Sequence, residues 1–276
     1  MRRILVTGAN KGIGLAIAKA ILDEHDDTFV FLGSRDSDRG HAAAASLPST
    51  RVDVVVLDVG DDASVARAAE HAKQRLAGEL LYGVVNNAGL GTSSGKSLAE
   101  IVNVNALGIH RVCTAFLPLL DPKNGRIVNV TSAAGPSYVA SCSPELVTFF
   151  TDREITWPRL SAFIDERMKE NDGKDAYGLS KAIANSYTML FAREHPNLRV
   201  NACTPGFIDT DMTRHYATSK RKTPAEIGAK PPSAGARAPM HLLFGELEGN
   251  GRYYGSDAKR SPLDRYREPG SPEFKD

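Results

Sequence analysis

The sequence predicts an α/β fold: a three-layer, doubly wound parallel sheet with helices on both faces. Three observations predict it. Short runs rich in Val and Ile recur along the chain, bounded by turn residues. Helical apolar spacing fills the stretches between them, which is the rhythm of right-handed βαβ units. The first run also ends in a glycine-rich turn, "TGANKGIG" at 7–14, which opens the first helical stretch.

In chain order, "RRILVTG" (2–8) reads as a buried strand and "GLAIAKAILDEH" (14–25) as a helix with Ile17, Ala18 and Ile21 on its inner face. "TFVFLGS" (28–34) and "RVDVVVLDV" (51–59) are the next strands. A helix at about 62–76 leads to the strand "LLYGVVNNAG" (80–89), and a helix near 99–120 leads to "GRIVNVTS" (125–132). A long helix at about 176–194 precedes "LRVNACTPG" (198–206), and "GRYYGS" (251–256) is the last strand. No repeat or linker divides residues 1–276, so a single domain is expected. Residues 133–175 interrupt the pattern as a helical insertion. Within it Leu160, Phe163, Ile164 and Met168 fall on one helical face after Pro158, so this helix is expected to pack onto its own chain rather than to wait for a partner. The tail at about 257–276 is polar, carries Pro262, Pro269 and Pro272, and is expected to run extended over the surface or fray.

Composition narrows the function. The formal net charge is +1, from 34 Lys and Arg against 33 Asp and Glu, so no field favours nucleic acid or an anionic membrane. No apolar run approaches a membrane span, and the first apolar run already belongs to the glycine motif, leaving no room for a signal peptide. Cys113, Cys142 and Cys203 are scattered and form no C-x-x-C. They suit free thiols in a reducing cytoplasm, and no metal pattern appears.

The glycine turn has a chemical reading. Gly8 makes the tight turn, Gly12 lets a phosphate approach the backbone, and Gly14 lets helix and strand close. The helix N-terminus then offers free N–H groups to a pyrophosphate, as in Rossmann-type folds. A plain glycine-rich turn is the bland alternative. The second strand ends in Ser34-Arg35-Asp36, where an NAD site would place an acid for the ribose 2′-OH. A small Ser followed by Arg leaves room for a 2′-phosphate, and Lys11 could add a second cation. That favours NADPH, although the Asp36 carboxylate could offset Arg35 and both cations could simply be solvated.

"AYGLSKAIAN" (176–185) sets Tyr177 and Lys181 four residues apart, on one helix face. A cation about 4 Å from a phenol contributes roughly 4 kcal/mol at an effective dielectric near 20. That is enough to lower a phenol's pKa by up to about three pH units before desolvation opposes it. Alone, Y-x-x-x-K is a weak signal. Its company is informative: "NNAG" (86–89), "VTSAAG" (130–135) with Ser132, and "TPGFIDTDM" (204–212) all end strands on the sheet edge where doubly wound folds bind ligands.

Together, and in this order, these motifs resemble the short-chain dehydrogenase/reductase family over roughly 2–256. The resemblance implies that Tyr177 is the general acid and that Lys181 lowers its pKa and binds the cofactor ribose. It implies that Ser132 hydrogen-bonds the carbonyl oxygen, and that Asn105, in "VNVNALG", holds a water connecting Lys181 to solvent. It implies NADPH/NADP+ contacts from Gly8, Asn10, Lys11, Gly12, Ile13 and Gly14 in the turn and from Arg35 after the second strand. Asp58 and Val59 would flank the adenine, and Asn86, Ala88 and Gly89 would follow at the fourth strand. Pro205, Gly206, Ile208 and Thr210 would line the nicotinamide side. Ser132 and Tyr177 are 45 residues apart, and the insertion between them, with "NKGIGLAIA" and "SCSPEL", is similar to the carbonyl reductase subgroup. That subgroup implies NADPH-dependent reduction of ketones, aldehydes or quinones by a monomer. Two features depart from it at the substrate mouth: a short polar stretch, "LGTSSGKS" (90–97), and Phe207 where a tryptophan is usual. Residues 207–232 read as a lid. Two alternatives stay open: an alcohol or hydroxysteroid-type dehydrogenase working in the oxidative direction, and a catalytically silent nucleotide-binding regulator.

Overall fold

The computed structural model describes residues 1–91, 94–170 and 175–275. Thr92 and Ser93 of the polar stretch, 171–174 of the insertion and the last residue of the tail therefore lie outside the described residues. The strands are β1 (Arg2–Val6), β2 (Thr28–Ser34), β3 (Val52–Val56), β4 (Leu81–Asn86), β5 (Arg126–Val130), β6 (Arg199–Cys203) and β7 (Tyr253–Tyr254). Among the described residues they form one parallel sheet in the order β3-β2-β1-β4-β5-β6-β7. Leu5 of β1 sits between Phe31 and Val84.

The helices are α1 (Gly12–Glu24), α2 (Ser37–Ala45), α3 (Asp62–Leu76), α4 (Leu98–Val102), α5 (Gly108–Phe116), α6 (Ala134–Ala140), α7 (Pro144–Thr151), α8 (Trp157–Glu170), α9 (Ala176–Glu194), α10 (Asp211–Ser219) and α11 (Pro232–Phe244). One core joins the sheet to α3, α5 and α9, and a second joins its other face to α1, α2 and α11. Ile17, Ala18 and Ile21 are fully buried, as the spacing of α1 predicts. α9 is buried along nearly its whole length, from Gly178 to Ala192, so it carries its polar side chains inside the protein.

The expected helix near 99–120 is not continuous. It is α4, a π-helical turn over Asn103–Leu107, α5 and a short 3-10 turn. The π turn contains Asn105, and such turns concentrate at functional sites. The insertion holds three helices, α6, α7 and α8. Leu160 and Ile164 of α8 are buried, and Phe163 meets Phe149 and Phe150 at ring separations of 4.6 and 5.4 Å. Its apolar stripe faces its own chain. α2, α10 and α11 are not evident in the sequence pattern. Only Gly40 and Ala43 of α2 are buried, and α11 carries Pro239 in its interior.

Among the described residues the tail after Asp257 forms no helix or strand, in keeping with an extended run over the surface, but it is tied down rather than frayed. The Arg267 guanidinium grips Asp257 through two bonds, Nη2 to Oδ2 at 2.7 Å and Nη1 to Oδ1 at 3.2 Å. Asp257 also accepts from Gly270 N at 2.9 Å, and Arg267 Nε donates to the Pro272 carbonyl at 3.1 Å. Both charged side chains are nearly buried, 6% and 12% exposed. A chain held this way neither frays nor runs free.

Candidate active site

Strand order turns around between β1 and β4, which places the ligand crevice of a doubly wound sheet at the carboxyl ends of both strands. β1 runs into the glycine turn, where Gly8 and Gly12 adopt φ of +63° and +57°. A Cβ on Gly12 would meet only Thr210 Cγ2, at 3.6 Å, so space remains over this backbone. A Cβ on Gly14 would overlap Asn87 Nδ2 and the Gly8 carbonyl oxygen, so α1 can close on β1 only with glycine here. Lys11 stands at the N-cap of α1 in extended conformation, and no side chain caps the helix. The helix therefore brings its first-turn N–H groups and its positive end to the glycine turn with no side chain capping them. This cradle fits a pyrophosphate.

The two expected cations differ. Arg35 is exposed, and among the described residues no carboxylate pairs with it. Asp36 does not offset it, because its carboxylate accepts from Arg39 N at 2.9 Å to cap α2 and pairs with the Arg39 guanidinium at 3.0 Å. Lys11 is not free: its ammonium is ion-paired with Asp211 at the start of α10.

At the end of β4 the side chains of two adjacent asparagines point to different partners. Asn86 turns inward, donating from Nδ2 to Asn129 Oδ1 at 2.9 Å, and Asn129 donates on to Thr188 Oγ1 at 2.8 Å. The Asn86 side chain thus serves the interior of the sheet, not the crevice. Asn87, which the sequence reading did not single out, ties the crevice together. Its Nδ2 donates to the Thr7 carbonyl at 2.9 Å, while the N–H groups of Asn87 and Ala88 donate to Thr7 Oγ1 at 2.9 and 3.0 Å. Thr7 and Asn87 therefore lock the glycine turn to the β4 end. The visible signal was the polar residue just before Gly8 and the doubled Asn. Of the two residues expected to flank the adenine, Asp58 Oδ1 accepts from Gly60 N at 2.9 Å, and the Val59 side chain is buried against Gly108 of α5.

Ser132, Tyr177, Lys181 and Asn105 converge beyond this cradle. Asp175, in left-handed conformation at φ 40°, caps α9 by accepting from Gly178 N at 2.9 Å, which places Tyr177 in the first turn of the helix. Lys181 is one turn further in, only 4% exposed, with Nζ 5.6 Å from the Tyr177 ring centre and donating to the Val130 carbonyl at 3.3 Å. A Cβ on Gly89 would stand 3.2 Å from Asn105 Oδ1 and 3.6 Å from Lys181 Nζ, so the β4 end, the π turn and α9 meet at one point. The Asn105 side chain is held by three hydrogen bonds. It accepts from Leu90 N at 2.7 Å and donates to the Leu90 carbonyl at 2.9 Å and Ser180 Oγ at 3.0 Å. It does not bond Lys181.

The electrostatics correct the sequence argument. The phenol of Tyr177 is raised, not lowered. Burial is the largest cause, a hydrogen bond with the Ser132 side chain pulls the other way, and the Asp175 carboxylate adds to the rise. Burial also acts on the ammonium, lowering Lys181 from its usual 10.5 to about 8. A lysine depressed in the folded state opposes folding while the unfolded chain holds its proton, and the cost is full below the folded pKa. Stability is therefore regained as pH rises from about 8 to 10.5, by about 3 kcal/mol in total. The unfolding free energy of the wild type, minus that of Lys181→Met, is expected to climb by that amount between those pH values in denaturant titrations. A flat difference would place Lys181 in a solvated setting.

At the ends of β5 to β7 a cavity of about 390 Å³ opens beside Ser132, lined also by Pro205, Gly206, Phe207 and, from the tail, Tyr266. Ile208 and Ile13 both close on Gly235 of α11, and Thr210 caps α10 beside the glycine turn. A second cavity, of about 430 Å³, lies between α7, α9 and the tail and holds none of the expected site residues. Among the described residues no cluster could hold a metal ion, and no helix is long and apolar enough to cross a membrane.

Comparison with known proteins agrees with this architecture. Residues 2–144 match the short chain dehydrogenase family. A protein of Rattus norvegicus named carbonyl reductase (NADPH) 1 is 32% identical over 263 residues, covering 87% of this chain and 90% of the rat protein. The (+)-neomenthol dehydrogenase of Arabidopsis thaliana is 33% identical over 255 residues, covering 76% and 84% of the two chains. The solved structure of salutaridine reductase from Papaver somniferum superimposes with a TM-score of 0.77 at 25% identity, covering 92% of this chain and 99% of that one. An ordered glycine turn, a reversed strand order at the crevice and relatives of this likeness lead to one conclusion: the chain belongs to the short-chain dehydrogenase/reductase family of oxidoreductases, within its carbonyl reductase subgroup.

Proposed function

We propose that the protein reduces ketones, aldehydes or quinones to alcohols with NADPH, Tyr177 acting as general acid. The observation that carries this reading is a convergence of side chains: the Ser132 side chain hydrogen-bonds Tyr177, and Lys181 Nζ lies 5.6 Å from the Tyr177 ring centre, at the sheet edge where doubly wound folds bind ligands. Bound NADPH supplies the hydride that reduces the carbonyl carbon. The uncapped N-terminus of α1, the space over Gly12 and the open Arg35 are the residues to hold it, and relatives named for NADPH support the choice of cofactor. Ser132 Oγ donates a hydrogen bond that orients the carbonyl oxygen and sharpens its charge. Tyr177 Oη passes its proton to that oxygen. The Lys181 ammonium, one turn away, stabilises the phenolate left behind until solvent restores the proton.

The test is to follow NADPH absorbance against a panel of aldehydes, ketones, quinones and dicarbonyls; nucleotide binding without consumption across the panel would favour a silent regulator. For cofactor choice, Arg35→Ala is expected to weaken NADPH binding about tenfold or more, since a charged hydrogen bond is lost, and to leave NADH binding within twofold or so. Fluorescence titration of both cofactors reads this directly. Equal losses for both would remove Arg35 from the 2′-phosphate. The reading also takes the chain as one catalytic domain acting as a cytoplasmic monomer. Packing of α8 on α4 and α9 supports it by covering helix faces through which two copies could pair, and sedimentation tests it.

A further inference from the structure

The cavity beside Ser132 has a charge pattern that the proposed chemistry does not require. Its charged lining residues are Lys230, Arg237 and Arg267, and no Asp or Glu is among those that line it. The chain as a whole is nearly neutral, at +1, so a one-sign wall does not follow from general basicity. Arg267 is neutralised by its two bonds to Asp257. Lys230 and Arg237 are exposed, and among the described residues neither has a carboxylate partner. Their backbones are nevertheless fixed. Lys230 N donates to the Phe207 carbonyl at 2.9 Å, and Asp209 N donates to the Lys230 carbonyl at 2.7 Å, a bridge that holds Lys230 against the segment bearing Phe207. Arg237 stands one turn after Ala234 on α11, and both line the cavity. Phe207 and Tyr266, 45% and 54% exposed, add two aromatic faces to the same wall.

We propose that this cavity is a carboxylate subsite: the carbonyl compounds the protein reduces best carry a carboxylate, received by Lys230 and Arg237, on a planar apolar body that lies against Phe207 and Tyr266. This rests on the carbonyl reduction proposed above and adds its substrate class. The guanidinium fork matches a carboxylate through two parallel bonds, and the lysine supplies a point charge beside it. A concave wall of one sign also concentrates anions at its mouth. The subsite opens at the ends of β5 to β7, whereas the cations expected at a cofactor phosphate, Lys11 and Arg35, stand at the ends of β1 and β2.

The test uses an acetylbenzoate and its methyl ester as a matched pair, with Lys230→Gln and Arg237→Gln. The wild type is expected to prefer the acid in kcat/KM by about tenfold or more, and each variant to cut the acid-to-ester ratio by about tenfold, the loss of one charged contact. Added salt should lower the wild-type ratio as well. A ratio near one, or one that neither variant moves, overturns the subsite. A second arm does not depend on turnover: calorimetric titration of benzoate into the wild type and the double variant. Benzoate binding that is equally weak in both overturns the subsite whatever the activity. Binding lost in the double variant, with no carbonyl compound reduced, keeps the anion site and removes the reductase reading.

Discussion

Tyr177→Phe lowers turnover by about 10²–10⁴-fold, the range typical for removing a general acid, and leaves NADPH binding within a few-fold of wild type. The substitution deletes one oxygen from a half-buried ring in the first turn of α9 and leaves the cap of that helix by Asp175 intact. Folding should therefore be unaffected, and the loss should lie in kcat rather than KM. The structure also sets the shape of the result with pH. Burial and Asp175 raise the phenol above its usual 10, so the wild type keeps its proton donor across the neutral range, and rates fall only on the alkaline side. Steady-state kinetics with any accepted carbonyl substrate measures this. Turnover that survives the substitution would assign the proton to another group.

The second large effect is in the tail. Arg267→Ala is expected to destabilise the protein by about 3 kcal/mol, because it leaves the Asp257 carboxylate nearly buried without its counter-charge. At about 2–4 °C per kcal/mol for a chain of this size, the melting temperature falls by about 6–12 °C. Asp257→Ala should cost a similar amount, since it strands the guanidinium and the Gly270 N–H together. Removing both partners as Asp257→Asn with Arg267→Met should cost less than the sum, because no orphan charge remains. The tail also carries Tyr266 and Pro269 into the cavity wall, so the single variants should raise substrate KM before they unfold the protein. Single-variant losses below about 0.5 kcal/mol would make the ion pair an ordinary surface contact.

The legible parts of this protein were those written in short spacings. The turn at Gly8, Gly12 and Gly14, the Tyr177–Lys181 pair and the run of apolar strands each fit within a few residues, and helix and strand periodicity carry them directly to geometry. The missed parts depend on distance or environment. Lys11 and Asp211 are 200 residues apart, so no local pattern reports that the lysine is already engaged. Asn86 and Asn87 are adjacent and chemically identical; which one turns inward depends on where β4 ends. Spacing placed Lys181 near Tyr177 correctly but said nothing of the medium between them, and desolvation reversed the sign expected for the phenol. α11 was hidden by Gly235 and Pro239, whose helix-breaking tendency is outweighed by packing against α1. The polar composition of the tail suggested freedom, yet a pair of opposite charges ten residues apart, Asp257 and Arg267, binds it down.

Isotope transfer shows whether Tyr177 beside bound NADPH completes a carbonyl reduction. The protein is incubated with an aryl ketone and NADPH deuterated at the transferable position of the nicotinamide, and the alcohol is analysed by mass spectrometry and NMR. One deuterium is expected on the carbinol carbon for each NADPH consumed, on one face only, and almost none with Tyr177→Phe. Alcohol formed without deuterium, or full transfer in the Tyr177→Phe variant, would contradict that expectation.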